Sequence, residues 1–321
     1  MLKPSLLYYT KLNYDPENLA ILDNHFEVIN VNSPNDTNIE GILSKIDAAC
    51  APLGHYFDES LMDKCPRLKA IISNTTGVSH IDTKAAETRK IEVISLVGEV
   101  EFLNNITSTA EHSFGLMLSL LRRIPWSFES VLEGEWNRFN HSSPAMLSRL
   151  SLGVVGLGRL GTMMAKYAMA FGMQVKYFDP YIPESENRPP KSDSLISLVK
   201  TSDVISLHVP SNKKTYQLID NEVLKNFPKS SVLINTSRGE VLDEGALIVA
   251  LERGVIGGAA LDVIDGEWSN IYDHPLVEYS RKHDNLIITP HIGGATVESI
   301  VGAREFMAGK LASYIQKQTT L

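Results

Sequence analysis

The run Leu152-Gly-Val-Val-Gly-Leu-Gly-Arg-Leu-Gly161 leads from an apolar strand pattern through a glycine-rich turn into a helical pattern over Thr162 to Phe171. That order of strand, GxGxxG and helix is the context a dinucleotide-binding turn needs. Gly156 permits the tight turn, Gly158 lets a pyrophosphate approach the backbone, and Gly161 lets helix and strand pack closely. The phosphates would rest on the amides at the helix amino terminus. A glycine-rich turn can equally be a plain tight connection, so the surrounding sequence has to decide. Roughly 20 residues on, the next strand pattern ends in Tyr177-Phe-Asp179, placing a carboxylate where adenosine ribose hydroxyls are bound. Asp179 would repel a 2'-phosphate, so the expected cofactor is NAD rather than NADP. Followed by Pro180, the same residue also reads as a turn former, and the two roles are compatible.

The turn lies midway along 321 residues, a length for two domains of ordinary size. Before it, short apolar runs at Leu6–Tyr9, Glu27–Val31, Ala48–Ala51, Leu68–Ser73 and Glu92–Leu96 alternate with amphipathic stretches, which predicts a small doubly wound domain. A helical pattern from about Asn105 to Arg123, ended by Pro125, connects to the second series. That series has six candidate strands: Leu152–Val155, Gln174–Phe178, Val204–His208, Val232–Asn235, Gly258–Asp262 and Leu286–Thr289. The segment Val297 to Gln316 reads as a terminal helix that returns to the first domain.

Composition narrows the function classes. A formal charge of -8 has the wrong sign for nucleic acid or an anionic membrane surface, so neither is an expected partner. The amino terminus lacks a signal-peptide pattern and no apolar run approaches a membrane span, so a cytoplasmic location is expected. Cys50 and Cys65 share no CxxC spacing and no neighbouring histidine cluster. They read as buried free thiols, and no metal site is expected.

Ligands of doubly wound domains bind at the carboxyl ends of the strands. Three such ends carry coherent chemistry: Asn235-Thr-Ser-Arg238-Gly, Val263-Ile-Asp-Gly-Glu267 and Thr289-Pro-His291. Arg238 offers a fork of donors for a substrate carboxylate and the adjoining carbonyl. Hydride transfer to a 2-oxo acid needs a proton donor for the carbonyl oxygen, and His291 is the natural one. Glu267 would orient that ring and stabilise its imidazolium. Each residue also has a plainer reading: Arg238 paired with Glu240 or Asp243, Glu267 a solvated loop carboxylate, His291 a helix cap. The three readings together explain less than one site does.

On Gly153-Val-Val-Gly-Leu-Gly-Arg-Leu-Gly161, Asn235-Thr-Ser-Arg-Gly239, Gly258-Ala-Ala-Leu-Asp-Val263 and Thr289-Pro-His-Ile-Gly-Gly294, the chain resembles the D-isomer-specific 2-hydroxyacid dehydrogenases, with matching order and spacing from about Leu68 onward. The resemblance implies Arg238 for substrate binding, Glu267 as partner carboxylate and His291 as general acid and base. It implies cofactor contacts at Arg159, Leu160, Asp179, Pro210, Thr236, Ser237, Asp262, His291 and Gly294, with Thr109 nearby and Asp262 on the nicotinamide carboxamide. It also implies that amides of Thr76, Gly77 and Val78 receive the substrate carboxylate. The expected fold is therefore α/β with two doubly wound parallel-sheet domains: a Rossmann NAD-binding domain over 104–289, inserted into a flavodoxin-like substrate domain formed by 1–103 and 290–321. The active site is expected in the cleft between them and the assembly as a homodimer.

Two departures from the family pattern touch the substrate pocket: Trp268 stands where proline is usual, and Asn74–Asp82 replaces a more glycine-rich loop. Rival readings are a methyltransferase, which would need no Arg238–Glu267–His291 set, and a non-catalytic NAD(H)-sensing corepressor, which only assay separates. A formate enzyme is disfavoured because that branch pairs its histidine with glutamine. A phosphoglycerate dehydrogenase would here lack a regulatory domain, since about thirty residues follow His291, and with no cationic cluster standing out near Thr76 a small or unphosphorylated 2-oxo acid is the preferred substrate.

Overall fold

The computed structural model describes residues 3–12, 16–33, 36, 39–78, 80–141, 145–267 and 269–319. Trp268 therefore lies outside the described residues. The chain divides into two compact units, residues 1–106 with 296–321 and residues 107–295.

In the first unit, β1 (Ser5–Tyr9), β2 (Glu27–Val31), β3 (Ala48–Cys50), β4 (Ala70–Ile72) and β5 (Glu92–Ile94) form a parallel sheet in the order β2-β1-β3-β4-β5. This is the flavodoxin-like order. Leu6, Leu7, Tyr8 and Tyr9 are consecutive and all buried. An unbroken apolar run is what a parallel strand covered on both faces requires. One face packs Leu6, Tyr8 and Ile72 against Met307, Leu311 and Ile315 of the helix Val297–Thr319; the other packs Leu7, Tyr9 and Ile71 with Phe57 and Met62. Cys50 and Cys65 are buried free thiols in these two layers, and burial pushes them up to about 12 and about 11. Such thiols hold their protons at neutral pH and are poor nucleophiles.

The second unit contains β6 (Ser151–Val155), β7 (Gln174–Phe178), β8 (Val204–Leu207), β9 (Val232–Asn235), β10 (Gly258–Leu261) and β11 (Leu286–Ile288). All pair in parallel, in the order β11-β10-β9-β8-β6-β7. A single parallel bridge between Tyr177 and Lys191 continues the sheet beyond β7. Counting that bridge as a vestigial strand, the order becomes the Rossmann arrangement with one extra strand at the β11 edge, and its direction reverses at β6. The sequence pattern gives no sign of this reduced strand, because one bridge needs no apolar run.

The connecting helix occupies Ser108–Leu121 and belongs to the second unit, where Phe114, Met117 and Leu120 pack with Leu152, Val154 and Met164. Pro125 does not end the helical region. Arg123 breaks the helix with φ 54°, and Pro125 falls in the first turn of a second helix, Ile124–Leu132. There its missing N–H has no intrahelical partner to lose. Among the described residues no helix is long and apolar enough to cross a membrane.

Candidate active site

The glycine turn sits where the sheet order reverses, and each of its glycines answers to a different constraint. Gly156 has φ +88°, and a Cβ there would lie 2.6 Å from the carbonyl oxygen of His208, just past β8. A Cβ on Gly161 would meet the Gly156 carbonyl oxygen at 2.1 Å. Gly158 faces open space, with nothing within 4 Å of the same construction. So two glycines close the turn and the third leaves a backbone surface that a ligand can reach. Gly158 also starts the helix Arg159–Ala170, where no side chain caps the first amides. The amides of the first helical turn and the positive end of the helix dipole suit a pyrophosphate. Arg159 and Leu160 are half-buried at this end, and burial lowers the Arg159 guanidinium from its ordinary range.

Asp179 is buried at the end of β7. Its Oδ2 accepts from Leu157 N at 2.9 Å, and its Oδ1 from Tyr181 N at 2.8 Å and Ile182 N at 3.2 Å. The turn-forming reading therefore holds, and the carboxylate also ties the glycine turn to the following loop. A carboxylate oxygen can accept twice, so Oδ2 keeps one acceptor position. At the end of β8, Ser206 Oγ lies 2.9 Å from His208 Nε2, and burial lowers His208 to about 4, so the ring beside the turn is neutral at physiological pH. Pro210 is exposed in the loop that follows, its carbonyl accepting from Thr215 Oγ1 at 2.5 Å.

Backbone ladders align the next three strand ends. Asp262 N donates to Asn235 O at 2.9 Å, and His291 N donates to Asp262 O at 2.9 Å. Asn235 folds the first end: its Oδ1 accepts from Ser237 N and Oγ, and its Nδ2 donates to Arg238 O. Thr236 and Ser237 are buried and Arg238 is half-buried, its Nη1 donating to Ser237 O at 2.6 Å. Asp243, a suggested ion-pair partner for Arg238, instead caps the helix Glu244–Glu252 by accepting from Ala246 N.

Asp262 organises the His291 segment. Its Oδ1 accepts from Thr289 Oγ1 at 2.6 Å and Ile292 N at 2.9 Å, and its Oδ2 from Gly293 N at 2.8 Å. The Thr289 hydroxyl spends its one hydrogen on Asp262. Its 2.9 Å contact with His112 Nε2 is therefore donated by the ring, which also lies 3.2 Å from Asp262 Oδ1. Burial pushes Asp262 up, but the bonds from His112, Thr289, Gly293 and Ile292 together outweigh it and hold the carboxyl below its ordinary range.

His291 has φ 54°, in the left-handed region, which histidine tolerates better than most residues. Its Nδ1–H donates to Glu267 Oε1 at 2.6 Å. Side-chain exposures of 28% for His291 and 19% for Glu267 make this a partly buried pair, unlike a solvated loop carboxylate. Glu267 Oε2 is buried with no hydrogen-bond partner among the described residues, which leaves the ring as the carboxylate's main partner. The structure thus joins Glu267 to His291 directly. The Arg238 turn meets the Glu267 loop one step earlier, since a Cβ on Gly239 would lie 2.2 Å from Asp265 N.

The sequence model of "D-isomer specific 2-hydroxyacid dehydrogenase, NAD binding domain" matches residues 114–293. The chain belongs to this family. Over 284 residues it is 36% identical to a glyoxylate reductase of Thermococcus litoralis, covering 84% of this chain and 81% of that protein. It is 35% identical to a D-3-phosphoglycerate dehydrogenase of Bacillus subtilis over 278 residues, covering 85% of this chain but only 50% of the Bacillus protein. A solved D-lactate dehydrogenase of Aquifex aeolicus, complexed with NAD and lactic acid, superposes with a TM-score of 0.83 at 29% identity, covering 98% of this chain and 96% of that one. The second unit is accordingly an NAD-binding domain of an oxidoreductase family that acts on CH–OH donors, and the open surface at Gly158 and the uncapped helix start fit the dinucleotide.

Thr109 and Gly294 meet in this unit: a Cβ on Gly294 would lie 3.7 Å from Thr109 Oγ1. Sequence reasoning singled out Thr109 but not His112 or Ser113, whose Oγ lies 2.6 Å from Thr236 Oγ1. The signal was available, because positions 109, 112 and 113 share one helical face. In the first unit, Thr76, Gly77 and Val78 lie in a loop after β4, where Thr75 Oγ1 donates to Gly77 O at 2.6 Å and lies 2.8 Å from Ser73 Oγ.

Proposed function

We propose that this dehydrogenase transfers a hydride between NAD(H) and C2 of a D-2-hydroxy acid or its 2-oxo acid, with His291 as general acid and base, Glu267 as its partner and Arg238 on the substrate. The observation that carries this reading is the 2.6 Å bond from His291 Nδ1 to Glu267 Oε1 at a strand end of the NAD-binding domain. Bound nicotinamide supplies or accepts the hydride. Glu267 fixes the proton on Nδ1 and stabilises the imidazolium, so that Nε2 gives a proton to the C2 oxygen in reduction and takes it in oxidation. Arg238 presents a planar fork to carboxylate and carbonyl, and its bond to Ser237 O restrains that fork. Asp179 Oδ2 reads a ribose hydroxyl, and Asp262 Oδ2, which accepts from Gly293 N, takes the carboxamide. The first unit serves as the substrate domain, with the Thr76–Val78 amides receiving the carboxylate. A small unphosphorylated acid is favoured, because the likeness to the glyoxylate reductase runs over most of that protein's length.

The test is a panel of 2-oxo acids, phosphorylated and not, followed by loss of NADH absorbance. Turnover is expected with small unphosphorylated acids, faster with NADH than with NADPH, and Asp179→Ser should narrow that cofactor preference. Tight NADH binding with no turnover across the panel would overturn the catalytic reading in favour of a sensor.

We also propose a homodimer. Ile124, Phe128, Val131 and Leu132 form an exposed stripe at helical spacing, continued by exposed Trp136 and Phe139. An apolar surface of this extent is characteristic of an interface. Sedimentation equilibrium should give twice the 35.5 kDa chain mass, and a Phe128→Glu variant should shift towards monomer. A wild-type monomer at micromolar concentration contradicts the proposal.

A further inference from the structure

Glu267 reaches His291 from a loop, and a loop carboxylate is only as well placed as the backbone beneath it. Two residues before Glu267, both backbone groups of Asp265 are held by side chains from other elements. Glu244, the first residue of its helix, accepts from Asp265 N through Oε1 at 2.7 Å. His274 Nε2 lies 3.1 Å from Asp265 O and 3.5 Å from Glu244 Oε2. Its other nitrogen, Nδ1, accepts from Leu276 N at 3.3 Å and so caps the helix Pro275–Ser280. With Nδ1 accepting, the ring proton sits on Nε2 and is donated to this cluster. Side-chain exposures of 12% for His274 and 15% for Glu244 make the cluster partly buried. Gly239 closes it from the Arg238 side, its missing Cβ leaving room for Asp265 N.

We propose that Glu244 and His274 brace Asp265 and thereby position Glu267 against His291, which makes them positioning residues for the reaction. The inference rests on the reading of Glu267 and His291 as the proton-handling pair. A glutamate in the first turn of a helix also has an ordinary use, favouring the helix dipole. That use does not require a bond to a neighbouring loop.

The brace is sensitive to pH. Burial, with the facing carboxylates of Asp265, Glu240 and Asp243, pushes Glu244 up to about 7 against the lowering effect of its bond to Asp265 N. His274 is the base that faces it from the next helix. Ionised Glu244 makes a charge-assisted bond to Asp265 N and lies 3.5 Å from the His274 ring; protonation weakens that bond. The hold on the loop therefore tightens as pH rises through neutrality. Stability runs the other way. A carboxyl whose folded-state value is raised favours the fold most below its unfolded value of about 4.5 and loses that contribution as pH rises through about 7.

Three proteins decide the matter: wild type, Glu244→Ala and Glu244→Gln, assayed with glyoxylate and NADH across pH 5.5 to 9 and examined by proton NMR for the downfield Nδ1–H of His291. In Glu244→Ala, kcat should fall roughly ten- to a hundredfold, as for a small misplacement of a catalytic group, with NADH affinity unchanged and the downfield signal lost. Glu244→Gln keeps an acceptor for Asp265 N, so it should recover most of the rate and the downfield signal that Glu244→Ala loses. Full turnover and an intact signal in Glu244→Ala overturn the brace, as does a Glu244→Gln variant that recovers neither rate nor signal. If glyoxylate is not turned over even by wild type, the functional reading is in question, and the NMR signal still decides the brace.

Discussion

His291→Asn should lower kcat for 2-oxo acid reduction by roughly 10²–10⁴-fold, the usual range for loss of general acid catalysis, while leaving NADH affinity close to wild type. Asparagine is the informative choice because the backbone at this position has φ 54°, and asparagine occupies the left-handed region more readily than alanine does. The main-chain bond from His291 N to Asp262 O can then persist, along with the Asp262 bonds that hold Ile292 and Gly293. What disappears is the imidazole and its link to Glu267. Single-turnover measurements with preformed NADH complex separate chemistry from binding. Unimpaired turnover would show that the proton comes from elsewhere.

Gly156→Ala should have the largest effect on the fold of the NAD-binding domain. A side chain at φ +88° is strained wherever it sits, by roughly 1–2 kcal/mol. Its Cβ would also lie 2.6 Å from His208 O and 2.8 Å from Val209 Cγ1. Overpacking of that kind adds roughly 1–3 kcal/mol, and for a domain of this size each kcal/mol lowers Tm by about 2–4 °C. A drop on the order of 4–20 °C is expected, with NADH binding largely lost. Gly158→Ala is the matching control. Its Cβ meets nothing within 4 Å, so Tm should hold while NADH affinity falls, because the methyl enters the space through which the pyrophosphate would approach. Thermal unfolding and fluorescence titration read the two quantities independently. An intact NADH affinity in Gly158→Ala would place the phosphates elsewhere.

Much of the second unit was legible because its signals are local. The strands Gln174–Phe178 and Val232–Asn235 have the bounds that their apolar runs suggest, and the glycine turn lies between strand and helix as its spacing requires. The bridge at Lys191 and the helix begun by Pro125 were not legible. One leaves no hydrophobic run, and the other uses proline where it opens a helix rather than closing one. The bond between His291 and Glu267 was anticipated from chemistry. The bonds that support it were not, since Thr289 and His112 are 177 residues apart and meet only through the fold. Glu244 and His274 escaped notice for the same reason. Their partner is the backbone of Asp265, and a main-chain amide leaves no trace in residue type.

The helix Val297–Thr319 gives the first unit Met307, Leu311 and Ile315, buried against strands that begin at Ser5. During synthesis those strands leave the ribosome long before their cover does. Residues 107–295 must be translated in between, which at about 5–20 residues per second takes on the order of 10–40 s. The NAD-binding domain is contiguous and can close its sheet in that interval. Leu6, Tyr8 and Ile72 meanwhile wait with one face covered only in part, by Leu22 and Phe26, so the nascent chain passes through a stage with a finished second domain and a half-built first one.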